Sequence, residues 1–155
     1  MKMKKLIESF AKDELAKHGL DDWSFAWHRK RRAFGSCSYP RKTIYVSLHF
    51  VESGESEGVL KDTVLHEIAH AIAGASAGHG PAWKRAALKV GASPERCGES
   101  DIPFEKHGYK WMRRCKSCDE RIGYHRKPSV RRRSSCSRCS GGSFNEKFLM
   151  TLEKL

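Results

Sequence analysis

The chain has 155 residues and carries 30 Lys and Arg against 18 Asp and Glu, a formal net charge of +12. That balance points to an acidic partner, with nucleic acid the first candidate and an anionic membrane surface the second. The length fits one domain, or one domain with a small appendage. Its 39% hydrophobic and 31% charged residues fit a soluble protein, and no segment approaches the roughly 20 apolar residues of a membrane span.

Met1 to Glu8 is basic but has no apolar run behind it, so it does not read as a signal peptide. The expected compartment is the cytoplasm, where cysteines stay reduced and serve as metal ligands or core rather than as disulfides. The first element is a helix over 4–18, with Leu6, Ile7, Phe10, Ala11 and Leu15 on one stripe and Gly19 closing it. Trp23, Phe25 and Trp27 alternate with small residues, the pattern of a strand with one aromatic face that packs in the core. Arg29 to Arg32 follow, either as a solvated hairpin loop or as a nucleic-acid contact.

Ala33 to Tyr39 reads as a second strand, with Cys37 a small buried residue. After a turn at Tyr39–Lys42, Thr43 to Val51 reads as a third, with Ile44, Val46, Leu48 and Phe50 on one face. Residues 43–50 are either an ordinary inner strand or an edge that holds an extended peptide by β-augmentation. Glu52 to Gly58 is a loop leading into the next helix.

That helix holds the stretch His66-Glu67-Ile68-Ala69-His70, supported by an apolar stripe of Leu60, Val64, Leu65, Ile68, Ala69 and Ile72. Residues four apart lie on the same helix face, so both imidazoles can reach one ion. Glu67 points about 100° round the axis from His66, beside the two ligands, where a carboxylate can act as general base on water. Gly74 suits the αL position past the helix end.

A catalytic zinc takes three protein ligands and keeps one position open. The metzincin pattern needs glycine and histidine at the third and sixth positions after the second histidine. Those positions hold Ala73 and Ser76. His79 is the nearest candidate, framed by Gly78, Gly80 and Pro81; Glu95 and Glu99 are the alternatives.

Pro81 to Val90 reads as a short helix, with Pro81 at its first position and Trp83, Ala86, Ala87 and Val90 on its core face. Trp83 is expected to pack against the motif helix. Gly91 to Pro103 is irregular, and Cys97 within it is read as structural, since a fourth ligand would block the open position.

Cys115-Lys116-Ser117-Cys118 and Cys136-Ser137-Arg138-Cys139 are separated by 17 residues, the spacing of a four-cysteine structural zinc site. Tyr109–Arg114 and Arg121–Arg126 flank the knuckles as short strands of a zinc ribbon. The tail packs back through Phe144, Phe148, Leu149 and Leu152. Residues 101–155 hold 14 Lys and Arg against 6 Asp and Glu. Lys110, Arg113, Arg114, Arg126, Lys127, Arg131, Arg132, Arg133 and Arg138 lie on or between the knuckles, interleaved with Tyr109, Trp111 and Tyr124. Cations on phosphates and aromatics on bases are the means by which proteins hold unpaired strands.

Val64 to Ala71, followed by His79-Gly80-Pro81-Ala82-Trp83-Lys84, resembles the SprT-like zinc metalloprotease family, which is related to the Spartan DNA–protein crosslink proteases. The short linker between the second and third histidines is similar to small bacterial or phage members. The resemblance covers roughly residues 5 to 140 in layout and extends to the ribbon. It implies zinc on His66, His70 and His79, Glu67 as catalytic base, and protein held on DNA as substrate.

The reading is an α+β, zincin-like metalloprotease domain with a small antiparallel sheet over 1–105, and a basic four-cysteine zinc ribbon with a tail over 106–155. It implies one catalytic and one structural zinc, and single-stranded DNA or strand junctions as partner. It also implies a DNA-bound protein as substrate, no membrane, a monomer, and a cytoplasmic or nucleoid location in a bacterial or phage-infected cell. Tyr45 and His49 are candidate oxyanion donors. The rival classes are a nucleic-acid-binding ribbon protein with an unused protease-like site, and a metal-dependent hydrolase of nucleic acid or small molecules. The second lacks a phosphate-binding glycine loop and a two-metal carboxylate cluster.

Overall fold

The computed structural model describes residues 1–95, 100 and 102–155. Cys97 and Glu99 lie outside the described residues. The chain divides into two compact units, Met1–Ile102 and Pro103–Leu155. No helix among the described residues is long and apolar enough to cross a membrane.

In the first unit, α1 (Lys2–Lys17) buries Ile7, Ala11 and Leu15, one residue per turn along a single stripe. The chain reverses at Gly19, where φ is +69° and a side chain would be strained. Three strands follow: β1 (Ser24–His28), β2 (Gly35–Ser38) and β3 (Thr43–Ser47). They form one sheet in the order β1-β3-β2. Phe25 and Trp27 on β1 meet edge to face at 5.1 Å, and the Trp27 indole donates to Glu8 of α1 at 2.6 Å. The aromatic face thus packs against the first helix.

The sheet is mixed, not antiparallel as expected. β2 and β3 form an antiparallel hairpin, but β1 runs parallel to β3. The cause is the basic run between β1 and β2. The buried Ser47 hydroxyl donates to the Lys30 carbonyl at 2.6 Å, and the Ser47 amide donates to the Phe34 carbonyl at 2.7 Å. Residues 29–34 are therefore drawn across the end of β3, and β2 lands on its far side.

The third strand is also shorter than its alternation suggests. It stops at Ser47, and Leu48–Glu52 form a helical turn, α2. That turn buries Phe50, whose ring stacks on Phe34 at 4.0 Å. A short apolar run satisfies strand and helix periods alike, and here the Phe34 ring decides.

The helix α3 (Glu57–Ala73) starts with the Ser56 hydroxyl accepting from the Val59 amide at 3.3 Å. It buries Leu60, Val64, Ile68 and Ala69 against α1, β3 and α4 (Pro81–Val90). Pro81 begins α4, and Gly91 ends it in the left-handed conformation, as the residue types predict.

In the second unit, β4 (Trp111–Arg114) and β5 (Arg121–Tyr124) are antiparallel, as a ribbon requires. The tail adds a third strand, β6 (Thr151–Lys154), on the other side of β4. Met150 is buried against Cys115 and Cys136, with Phe148 packed beside them. Phe144 does not pack back as expected; it is 56% exposed.

Candidate metal centres and cleft

His66 and His70 project from successive turns of α3. The chain then leaves the helix through Gly74 (φ 87°, ψ 163°), in the positive-φ region open essentially to glycine alone rather than the αL conformation expected. A 3-10 turn at Ala75–Ala77 and Gly78 (φ 50°) return it. The His79 Nε2 arrives 3.1 Å from the Nε2 of His66 and 3.1 Å from that of His70. Ligand nitrogens arranged tetrahedrally round one zinc at about 2.0–2.1 Å lie about 3.3 Å apart. The donor set therefore fits a small divalent ion such as zinc.

Trp83, fully buried, forms the back wall. Its ring lies 4.7, 5.5 and 4.7 Å from those of His66, His70 and His79. Burial, reinforced by the neighbouring histidines, pushes His66 and His70 down to about 4. Both rings are neutral near pH 7 and offer a lone pair.

Glu67 follows His66 and is only 6% exposed. Burial pushes its carboxyl up to about 8. It opens on a cleft of about 850 Å³ whose walls include the three histidines, Arg32, Gly35, Cys37, Tyr39 and Asp62. The strand along this cleft is β2, an edge. The expected candidate, 43–50, is mostly β3, and β3 is the inner strand. Tyr45 and His49 do not line the cleft.

Tyr39 does, and its hydroxyl donates to the His70 carbonyl at 3.1 Å. Sequence reasoning read Tyr39 only as the end of the second strand and the start of a turn. Its signal was the alternation Gly35, Cys37, Tyr39, which sets all three on the face turned to α3. Cys37 is half-buried rather than buried, and desolvation, with the Glu67 charge adding, pushes its thiol up to about 12. Its thiolate, the nucleophilic form, is disfavoured there. Glu95 is exposed and takes the Ser93 hydroxyl, apart from the three-histidine group.

The sulfurs of Cys115, Cys118, Cys136 and Cys139 lie within 4.8 Å of one another. Two of the distances are 3.9 Å (Cys115–Cys139) and 3.6 Å (Cys118–Cys136), against about 3.8 Å for sulfurs tetrahedral on zinc at about 2.3 Å. Asp119, with φ +62°, tightens the first knuckle, and its amide donates to the Cys115 carbonyl at 3.0 Å. The amides of Cys118 and Ser117 draw the Cys115 thiol down to about 7, favouring the thiolate a metal needs.

The candidate nucleic-acid residues divide. Arg113 is a correction: it is 6% exposed and turned inward. Its guanidinium donates to the Ser134 hydroxyl and to the carbonyls of Ser129 and Arg132, tying the loop between the knuckles to β4. Arg114, Arg133 and Arg138 pair with Asp119, Glu146 and Glu120. Lys110, Arg126, Lys127, Arg131 and Arg132 are exposed. The Lys127 ammonium lies 5.0 Å from the centre of the Trp111 ring, and Trp111 pairs across the sheet with Tyr124. Tyr109 instead fills the space left by Gly123, where a Cβ would come 2.1 Å from its ring.

An α+β unit with three convergent histidines beside a buried carboxylate, followed by a four-cysteine cluster, gives the chain two groups that could each hold a metal ion, the arrangement of a metalloprotease-like protein. The chain belongs to the SprT-like family, which matches it over residues 3–102. The match ends where the first compact unit ends. No solved structure matches the chain.

Proposed function

We propose that the protein is a zinc-dependent peptidase recruited to DNA, cleaving proteins bound or crosslinked there. The observation that carries the reading is the approach of the His79 nitrogen to 3.1 Å from those of both His66 and His70, beside the buried Glu67, on the wall of an open cleft. A zinc ion held by His66, His70 and His79 would polarise the scissile carbonyl and acidify water. Glu67, its carboxylate favoured by the charge of the bound ion, would receive the water proton and return it to the leaving amine. The outer edge of β2 has unpaired backbone groups and takes an extended substrate as an added strand, a mode that tolerates many sequences. Tyr39 is the hydroxyl that turns from the His70 carbonyl to the developing oxyanion.

Recruitment rests on the second unit. Lys110, Arg126, Arg131 and Arg132 are exposed and follow phosphates, while Trp111 and Tyr124 stack on unpaired bases, with Lys127 alongside. Zinc at the four cysteines is structural, since no ligand position stays open.

The test compares wild type and Glu67→Gln, each with its metal content measured, on a DNA-bound protein with and without single-stranded DNA. DNA-dependent cleavage that vanishes in Glu67→Gln, with zinc retained, is the expected result. Full metal content and DNA binding without Glu67-dependent cleavage would instead leave a nucleic-acid-binding ribbon protein with an unused site.

A further inference from the structure

Gly35, the first residue of β2, lies directly over the Glu67 side chain. A Cβ built there would stand 2.7 Å from Glu67 Oε1, 2.9 Å from Glu67 Cγ and 2.9 Å from the Thr63 methyl carbon. Carbon and oxygen atoms not bonded to each other do not approach so closely, so the strand and the helix meet here only because residue 35 has no side chain. Backbone conformation does not demand the glycine, since Gly35 is absent from the residues with positive φ. Thr63 cannot retreat easily, because its hydroxyl is fastened to the Val59 carbonyl at 2.8 Å.

Among the described residues no hydrogen bond orients the Glu67 carboxylate. Its direction must come from packing. Above it lies the bare backbone of Gly35, which also faces the Thr63 methyl, one turn back on the same helix.

We propose that Gly35 is a positioning residue for Glu67: the missing side chain leaves a slot that aims the carboxylate into the cleft beside the three histidines. This inference rests on the peptidase reading of the same site. A methyl group at position 35 would fill the slot and turn the carboxylate aside without touching a histidine. A displacement of about 1 Å in a reacting group can cost about 100-fold in rate. The expected effect is therefore on the chemical step, not on metal or substrate binding.

The test uses the full chain and Gly35→Ala, with Glu67→Gln as the reference for lost base. Gly35→Ala should keep wild-type zinc content and KM and lose kcat by about 100-fold. A second readout does not depend on activity. Gly35→Ala should lower the thermal midpoint by about 4 °C or more. That loss should shrink by at least half when Glu67→Ala and Thr63→Ser remove the opposing atoms; the serine keeps the hydroxyl that binds Val59.

Wild-type kcat in Gly35→Ala would overturn the inference, as would loss of zinc in parallel with activity. An undiminished midpoint loss in the combined variant would also overturn it, because the methyl would then clash elsewhere. Absence of cleavage in the wild type would instead sink the peptidase reading, and the thermal series alone would then decide whether Gly35 seats Glu67.

Discussion

Burial of Glu67 has a consequence that calorimetry can count. Its carboxyl is pushed up to about 8, whereas His66 and His70 are pushed down to about 4. At pH 7 roughly nine in ten metal-free molecules then hold a proton on Glu67, and only about one in a thousand on either histidine. A divalent ion bound beside Glu67 favours the carboxylate, so filling the site expels that proton.

The difference between wild type and Glu67→Gln should be about 0.9 proton per ion at pH 7 and about 0.1 at pH 9. Protons from other groups are common to the two proteins and cancel. The sign follows: below pH 8 the wild-type affinity falls as pH falls, by about tenfold per unit more than in Glu67→Gln. The assay is zinc titration calorimetry in two buffers of different ionisation enthalpy, after a mild chelator has emptied the histidine site and left the cysteine site filled. Equal proton release by both proteins at pH 7 would show that Glu67 is already ionised in the metal-free protein, and would refute the burial argument.

Five further outcomes follow from the same geometry. His79→Ala should lose the zinc of the histidine site and keep that of the cysteines, as read by metal analysis. Trp83→Ala should cost about 3–5 kcal/mol in denaturant unfolding and weaken zinc binding, because the ring backs all three histidines; a stable variant with normal zinc affinity would contradict that role. Tyr39→Phe should lower kcat by about 100-fold or more, with KM and zinc unchanged. Arg131→Ala with Arg132→Ala should lower the salt slope of single-stranded DNA binding by about 1.4. Arg113→Ala should instead destabilise the second unit, since its guanidinium binds two carbonyls and a hydroxyl inside it.

Much of the site is local in sequence. The four-residue interval between His66 and His70 becomes one face of α3 by helix geometry alone. The Cys-x-x-Cys knuckles likewise bring their sulfurs together by turn geometry. Gly91 and Pro81 bound α4 for reasons of backbone freedom that belong to single residues. Arg113 shows the limit of charge reading. In a strand, alternate residues face opposite ways, and nothing in a basic run says which arginine will be turned under the sheet to hold a loop.

The sequence by itself thus determined the candidate ligands, the helix that bears His66 and His70, and the division into a histidine-bearing part and a cysteine-bearing part, because each depends on neighbours a few residues apart. Only the tertiary structure decided the strand order, the edge along the cleft and the surroundings of Glu67. The Ser47 bonds to residues 30 and 34 send β2 to the far side of β3. That crossing brings Gly35, Cys37 and Tyr39 over a helix about thirty residues away in the chain. Such contacts arise from long-range packing; the alternation of Gly35, Cys37 and Tyr39 sets the three on one face, but nothing in it says which element that face will meet.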